Sequence, residues 1–105
     1  MTGVVELVRA EPDGDFHIRL RLDPGQDQYL NDKNLADQHG DLVIEIVCVN
    51  RVTQVDAEGT CATAPAELRL SPPRLGQHIS ATGPFVLDTT HGWLEIHPVY
   101  GWEAQ

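Results

Sequence analysis

A chain of 105 residues is long enough for one domain with a modest hydrophobic core, and we predict a single domain over residues 1–105. Its 16 Asp and Glu residues against 7 Lys and Arg give a net charge of −9, which disfavours binding to nucleic-acid phosphates and to anionic membranes. No apolar run approaches the roughly 20 residues that a membrane-spanning helix requires.

The N-terminal segment MTGVVELVRA begins as an alternating strand and has no basic stretch followed by an apolar one. It therefore lacks the pattern of a secretory signal peptide. We expect either a cytoplasmic protein or a domain that belongs to a longer exported protein.

The first two predicted strands, GVVELVRA and DFHIRLRLD, flank the turn sequence PDG, whose glycine accepts a positive φ without a steric penalty. The second strand alternates strictly, as a strand with one buried face does. Its apolar face comprises Phe16, Ile18, Leu20 and Leu22, and its polar face comprises His17, Arg19, Arg21 and Asp23. We predict that the two strands form a β-hairpin.

Turn residues bound the next segment, DPGQDQYLNDKNLADQHGD, which has five aspartates and one lysine. Its middle favours a short helix with Leu30 and Leu35 facing the core, although Asn and Asp are poor helix formers. The segment lacks the DxDxDG pattern of a calcium-binding loop, so we interpret its acidic residues as solvated.

The segment DLVIEIVCVNRV is apolar on both alternating faces, which indicates a central strand buried on both sides. One face carries Leu42, Ile44, Ile46 and Cys48, and the other carries Val43, Glu45, Val47 and Val49. Glu45 is therefore a carboxylate in a row of valines, which makes it a candidate binding residue.

The remaining chain predicts a loop at TQVDAEGTCATAPAE, a short strand at ELRL and a turn at SPPRLG. QHISATGPFVLD follows as a strand interrupted near Gly83 and Pro84, and WLEIHPV is the last strand, with YGW in the tail. The predicted fold class is all-β, a small five- or six-stranded OB-like barrel with at most one short helix. A small β-sandwich is the alternative.

The two cysteines, Cys48 and Cys61, leave the redox compartment open. Cys48 ends an apolar strand and suits a buried thiol, whereas Cys61 lies in the polar sequence EGTCATAP. A disulfide between them and two free thiols are both compatible with the sequence.

The chain resembles a small bacterial OB-like β-barrel domain of unknown function. The resemblance depends on the Asp-Gly-Asp-x-His turn in PDGDFHIRL, on the strand LVIEIVC and on the closing sequence TGPFVLDTTHGWLEIHPV, with its Asp-x-x-His-x-Trp-x-Glu-Ile-His-Pro motif. It implies a barrel and a Cys48–Cys61 disulfide, and relatives that often occur in exported proteins or beside other domains. It implies no particular activity.

The closing motif contains the strongest candidate site. Alternation places Trp93, Glu95, His97 and Val99 on one face of the last strand, with Leu94 and Ile96 toward the core. Carboxylates and imidazoles together suit a divalent transition metal, and the predicted ligands are His17, Asp88, His91, Glu95 and His97. Without an HxxxH or HExxH spacing, a structural role is the competing interpretation, in which Asp88 caps the turn and Glu95 pairs with His97.

Arg19 and Arg21 define a second candidate surface, together with His17 and Arg51. OB barrels bind oligonucleotides across the corresponding strands. However, the strand has few aromatic side chains for base stacking, and abundant carboxylates are available to pair with the arginines.

We predict a binding or accessory module rather than an autonomous enzyme, since no nucleophile motif such as GxSxG is present. Its ligand, a small molecule or a protein, would bind the rim formed by DGDFH and DTTHGWLEIHP. The predicted ligand-binding residues are Asp15, His17, Arg19, Arg21, Glu45 and Trp93. The alternatives are a metal-dependent, hydrolase-like enzyme and an OB-type nucleic-acid-binding protein. These predicted functions depend on the hairpin tip and the closing segment lying side by side.

Overall fold

The computed structural model covers residues 1–105 and contains seven β-strands and two short α-helices. The strands are β1 (Thr2–Ala10), β2 (Phe16–Leu22), β3 (Leu42–Ile46), β4 (His78–Thr82), β5 (Phe85–Leu87), β6 (Leu94–Ile96) and β7 (Gly101–Ala104). The helices are α1 (Asp32–Asp37) and α2 (Val55–Ala62), and 3₁₀ turns cover Asp27–Tyr29 and Ala66–Leu68. The fold is mostly sheet, as predicted, and neither α-helix has the length and apolar character needed to cross a bilayer.

The strand count differs from the predicted five or six. Gly83 and Pro84 divide one predicted strand into β4 and β5, and the segment predicted as a tail falls in β7, which pairs with β4. ELRL, predicted as a strand, instead overlaps the 3₁₀ turn at Ala66–Leu68. In the short C-terminal segment, pairing with the distant β4 outweighs the local pattern.

The sheet has the strand order β5-β6-β3-β2-β1-β4-β7. All neighbours are antiparallel except β3 and β6, which run parallel. Only Gly83 and Pro84 separate β4 from β5 in the chain, yet these two strands lie toward opposite ends of the strand order. The sheet must therefore curl back on itself, and it forms a half-barrel.

The concave side of this half-barrel contains the hydrophobic core, and the predicted inward faces of β2 and β3 are confirmed there. Ile18 and Leu20 on β2 are completely buried, as are Ile44 and Ile46 on β3. The complete cluster is Val5, Ile18, Leu20, Leu42, Ile44, Ile46, Ile79, Ala81, Ile96 and Val99. Burying a side chain of this size stabilises the fold by about 1.5–3 kcal/mol.

The opposite side of β3 is also covered, as its two apolar faces predict. Val43 is completely buried, and Glu45 beside it is mostly buried. Gln38, at the C-terminal end of α1, lies against this outer side and contacts His17 of β2. The outer faces of β2 and β3 therefore form the floor of a covered site rather than an open surface.

Helix α1 forms within the segment predicted to be helical, but its buried residue is not the predicted one. Leu35 is 59% exposed, whereas Asn34 is completely buried. The Asn34 amide binds the backbone of Leu94 through both its nitrogen and its oxygen, at 2.9 Å each. A polar side chain can be buried when its hydrogen bonds are satisfied, and here those bonds attach α1 to the start of β6. Leu30 is partly buried against the core, as predicted.

Cys48 and Cys61 form a disulfide, with their Cα atoms 5.3 Å apart. The bond connects the residues after β3 to α2, in a segment for which a loop was predicted. It thereby holds the excursion between β3 and β4 against the β1–β2 turn, where the Cys61 sulfur also contacts the carbonyl of Asp13.

Strand alternation fails after β6. Val99 is completely buried in the core, although alternation predicts that it shares a face with Glu95. The strand ends at Ile96, and Pro98 has no N–H with which to continue the ladder. The chain bends there, so that the Val99 N–H binds the carbonyl of Glu45.

Candidate functional site

A pocket of about 180 Å³ opens on the outer side of β2 and β3, and we call it the rim pocket. Its walls come from the β1–β2 turn and from the connection between β5 and β6. The residues that line it are Arg9, Glu11, Asp13, His17, Glu45, Asp88, His91, Trp93, Glu95 and His97. The hairpin tip and the closing segment thus lie side by side, although they are far apart in the chain.

Strand register explains why these residues meet. His17 on β2 pairs with Arg9 on β1 and with Glu45 on β3. The parallel β3–β6 pair places Glu95 beside Val43. Neighbouring strands are under about 5 Å apart, so side chains on the same face come within contact distance.

His17 occupies the floor of the rim pocket and is only 3% exposed. Its Nδ1 lies 3.1 Å from Glu45 Oε1, and its Nε2 lies 3.1 Å from Gln38 Oε1. An amide oxygen can only accept a hydrogen bond, so Nε2 carries a proton and donates it to Gln38. The hydrogen bond to Gln38 therefore holds the ring in the orientation in which Nδ1 faces the pocket carboxylates.

The pKa values of His17 and Glu45, which lie side by side, are both raised. Burial raises the pKa of the Glu45 carboxyl. Burial also acts to lower the pKa of His17, but the hydrogen bonds to Glu45 and Gln38 outweigh it and raise that pKa. Glu45 Oε2 is buried without a hydrogen-bond partner. One oxygen of this carboxylate is therefore available for a further positive or hydrogen-donating group.

Glu95 forms a second carboxylate centre at the pocket wall and is 4% exposed. Its Oε2 accepts a 3.1 Å hydrogen bond from the Trp93 indole N–H, and its Oε1 lies 3.0 Å from His97 Nδ1. The hydrogen bond to Glu95 raises the pKa of His97. The other ring nitrogen of His97 lies 3.9 Å from Asp15 Oδ2. His97 thus stands between carboxylates on both sides.

Asp88 and His91 form the outer wall within the TTHG turn. Asp88 Oδ1 accepts hydrogen bonds from the backbone N–H groups of Thr90 and His91. Its Oδ2 lies 2.7 Å from His91 Nδ1. The His91 ring stacks on Trp93 with a centroid distance of 4.3 Å and an interplanar angle of 6°. Asp88 therefore caps the turn that positions Trp93.

We expect Asp88→Asn to destabilise the protein near neutral pH, with a smaller loss at acid pH. Burial opposes ionisation of Asp88, but its hydrogen bonds with His91 and Thr90 outweigh it and lower the pKa below 3.8. A carboxyl with a lowered pKa stabilises the fold above its unfolded pKa, and this contribution disappears as the pH falls through the folded pKa. Urea unfolding of the parent protein and the variant at about pH 6 and about pH 2.5 measures the loss of unfolding free energy. We expect the variant to lose about 1 kcal/mol at the higher pH. An equal deficit at both pH values would contradict this prediction.

The predicted arginine surface is paired with acidic side chains. Arg21 Nε lies 2.6 Å from Glu6 Oε1, and Arg19 Nη1 lies 3.8 Å from Asp41 Oδ2. Neither arginine lines the rim pocket. Among the predicted ligand-binding residues, the pocket contains His17, Glu45 and Trp93.

Asp15 supports the β1–β2 turn rather than lining the rim pocket. Its Oδ1 accepts a 2.9 Å hydrogen bond from the Cys48 backbone N–H, and burial raises its pKa. It lines a larger neighbouring cavity of about 390 Å³ beside the disulfide. The two cavities share Asp13 and His97 in their linings.

All five predicted metal ligands lie in the rim pocket, but they form separate pairs. Asp88 contacts His91, and Glu95 contacts His97. His17 instead lies close to Glu45 and to Glu11, whose Oε1 is 3.7 Å from His17 Nδ1. Glu11 and Gln38 were not among the residues predicted for the site. Strand pairing would have pointed to Glu11, which follows β1 at the turn, but no sequence signal identifies Gln38.

Comparisons of the chain with protein-family models, with curated proteins and with solved structures found no match.

Proposed function

We propose that this protein is a small-ligand-binding module that takes a compact cation in the rim pocket. The observation that carries the proposal is the convergence of five carboxylates on one small cavity, namely Glu11, Asp13, Glu45, Asp88 and Glu95. Arg9 is the only permanently cationic side chain in that lining. A concave site lined by one sign of charge concentrates the opposite charge.

The size of the rim pocket restricts the ligand. Its volume of about 180 Å³ is below the roughly 300–1,000 Å³ of pockets that hold drug-sized molecules. A metal ion with its water, or an organic cation of a few heavy atoms, would fit. The partly buried Trp93 adds an aromatic wall, which favours cations over neutral polar molecules.

We also propose that the half-barrel is OB-like. The meander of β1, β2 and β3, the β1–β4 pair and the parallel β3–β6 pair support this assignment. OB barrels bind ligands on the second and third strands and on the loops at that end. The rim pocket occupies the outer face of β2 and β3 and uses the β1–β2 turn, so its position agrees with that binding surface.

Nuclear magnetic resonance with simple cations tests the proposed function. We expect methylguanidinium or tetramethylammonium to shift the indole N–H signal of Trp93, which donates to Glu95 in the pocket. Trp102 is an internal control, because its indole N–H binds Ser71 outside the pocket. Acetate should produce no saturable shift, since the pocket is anionic. No cation-dependent shift, or an equal effect of acetate, would contradict the proposal.

A matched pair of variants locates the binding. Asp13→Asn keeps the hydrogen-bond acceptor that holds the Asp15 N–H but removes a pocket charge. We expect it to weaken binding about fivefold, equivalent to about 1 kcal/mol. Asp37→Asn removes the same charge from the exposed end of α1 and should leave binding unchanged. Equal losses in the two variants would indicate a general charge effect instead of a site.

A metal-dependent enzyme is the second candidate, supported by the contact between Glu95 and His97. His97 is 39% exposed at the pocket wall, and a histidine paired with a carboxylate can act as a general acid or base. Hydrolysis of p-nitrophenyl phosphate by the cobalt-loaded protein tests it. The rate should be lost in His97→Gln, and a rate unchanged by this variant would exclude His97 from the chemistry.

A further inference from the structure

Three ligand atoms at the floor of the rim pocket have the arrangement of a metal site. Glu11, His17 and Glu45 each offer one ligand atom, and these three atoms all lie within 4.8 Å of one another. Nδ1 is 3.1 Å from the Glu45 oxygen and 3.7 Å from the Glu11 oxygen. Two donors on a tetrahedral ion with bonds of about 2.1 Å are about 3.4 Å apart. The two observed distances from Nδ1 to the carboxylate oxygens bracket this value.

Gln38 provides the support that a metal-binding histidine usually has. Its Oε1 accepts the Nε2 proton of His17, which leaves Nδ1 as the nitrogen that faces the two carboxylates. Gln38 itself is buried, and its backbone N–H is bonded to the carbonyl of Asn34 at the end of α1. The imidazole is therefore held in the orientation that coordination requires.

The second oxygen of the Glu45 carboxylate adds to this arrangement. Its Oε2 is buried and has no hydrogen-bond partner in the protein. A buried acceptor without a partner is destabilising, and a bound cation beside the carboxylate would offset that cost. Arg9, which contacts Glu11 at 3.3 Å, is exposed and can move away at little cost.

We infer that Glu11, His17 and Glu45 bind one divalent transition-metal ion, of the zinc or cobalt type, with an open coordination position toward the rim pocket. One imidazole and two carboxylates suit these ions, whereas calcium prefers six to eight oxygen ligands. Three protein ligands with a fourth open position are typical of metal sites that bind a further molecule. This inference rests on the proposed function, for which it names the cation, and it replaces the scattered ligand set that the sequence predicts.

The test is titration of the full chain with Zn²⁺ by calorimetry and with Co²⁺ by visible absorption. We expect saturable binding of one ion per chain and a cobalt spectrum typical of four- or five-fold coordination. On Zn²⁺ binding, the Nδ1 resonance of His17 should shift far more than its Nε2 resonance. Absence of saturable binding of either ion would overturn the inference.

Glu11→Gln is the main variant, because Glu11 lies at the partly exposed turn and its loss should leave the fold intact. Loss of an outer-shell partner costs about 10–100-fold in metal affinity, so loss of a ligand should weaken binding at least about tenfold. Glu6→Gln is the matched control, since Glu6 is on β1 but pairs with Arg21 outside the pocket. Equal affinities of the Glu11 and Glu6 variants would overturn the assignment of the ligands. Methylguanidinium binding without metal binding would overturn this inference and leave the proposed function standing.

Discussion

Replacement of Asn34 by alanine is expected to lower the free energy of unfolding by about 3 kcal/mol. The side chain is completely buried, and its amide nitrogen donates to the carbonyls of Asp41 and Leu94. Its oxygen accepts from the backbone N–H groups of Leu94 and Asn31. Alanine leaves these backbone groups without partners in the interior, and each unsatisfied group costs about 1–3 kcal/mol unless water reaches it.

The same substitution should weaken ligand binding in the rim pocket. Asn34 attaches α1 to β6, and α1 carries Gln38 to its contact with His17. Urea unfolding measures the stability, and the zinc titration described above measures the effect on the site. Leu35→Ala is the control, because Leu35 is on the same helix but 59% exposed, and it should cost less than about 0.5 kcal/mol. A loss below about 1 kcal/mol in Asn34→Ala would show that these hydrogen bonds contribute little.

Gly83→Ala is expected to destabilise the fold strongly. Gly83 separates β4 from β5, and a Cβ there would collide with the carbonyl oxygen of Pro98. It would also lie 2.6 Å from Ile96 Cγ2, a core atom that cannot move freely. Relief of the clash requires backbone movement, for which we expect a loss of about 3 kcal/mol or more.

The contrasting variant is Gly59→Ala in α2, where an added Cβ meets nothing within 4 Å. Alanine is favoured over glycine in a helix by about 1 kcal/mol, so this variant should be slightly more stable than the parent protein. Denaturant unfolding of both variants provides the comparison. If Gly83→Ala unfolds at the same urea concentration as the parent, the close approach of Pro98 to Gly83 does not hold the curl of the sheet.

The Gly83→Ala and Gly59→Ala variants also differ in their expected effect on the rim pocket. His97 precedes Pro98, so backbone movement at Gly83 should displace one wall of the rim pocket. Gly59 lies in α2, within the loop that the disulfide closes, and is not part of that lining. We therefore expect altered cation binding in Gly83→Ala only.

Local patterns were sufficient for much of the fold. The alternation in DFHIRLRLD assigns Ile18 and Leu20 to the core and His17 to the other face. Ile18 and Leu20 are completely buried in the core, and His17 contacts Glu45 and Gln38 on the other side of the sheet. The two apolar faces of LVIEI indicate a strand covered on both sides, which makes Glu45 conspicuous. These inferences succeed because the side-chain period of a strand is a property of neighbouring residues alone.

Partners across the sheet could not be obtained in the same way. Glu11 and Gln38 contact His17 because of strand register and of the docking of α1, and neither has a local sequence signal. Arg19 and Arg21 were predicted to form an anion-binding stripe, and each lies within 4 Å of a carboxylate from another element, Asp41 and Glu6 respectively. Leu35 was expected to be the buried residue of α1, but Asn34 is buried instead. Its side-chain amide both donates to the Leu94 carbonyl and accepts from the Leu94 N–H.

The period-two pattern therefore established which side chains of β2 and β3 face the core and which face the other side, although it failed at Val99 after β6. Tertiary structure decided which outward-facing residues meet, because contacts between distant segments depend on strand order, register and helix docking. His17 and Glu45 are 28 residues apart in the chain and 3.1 Å apart in space. A candidate metal site assembled across β2, β3 and the β1–β2 turn consequently becomes recognisable only when the strand order and register are known.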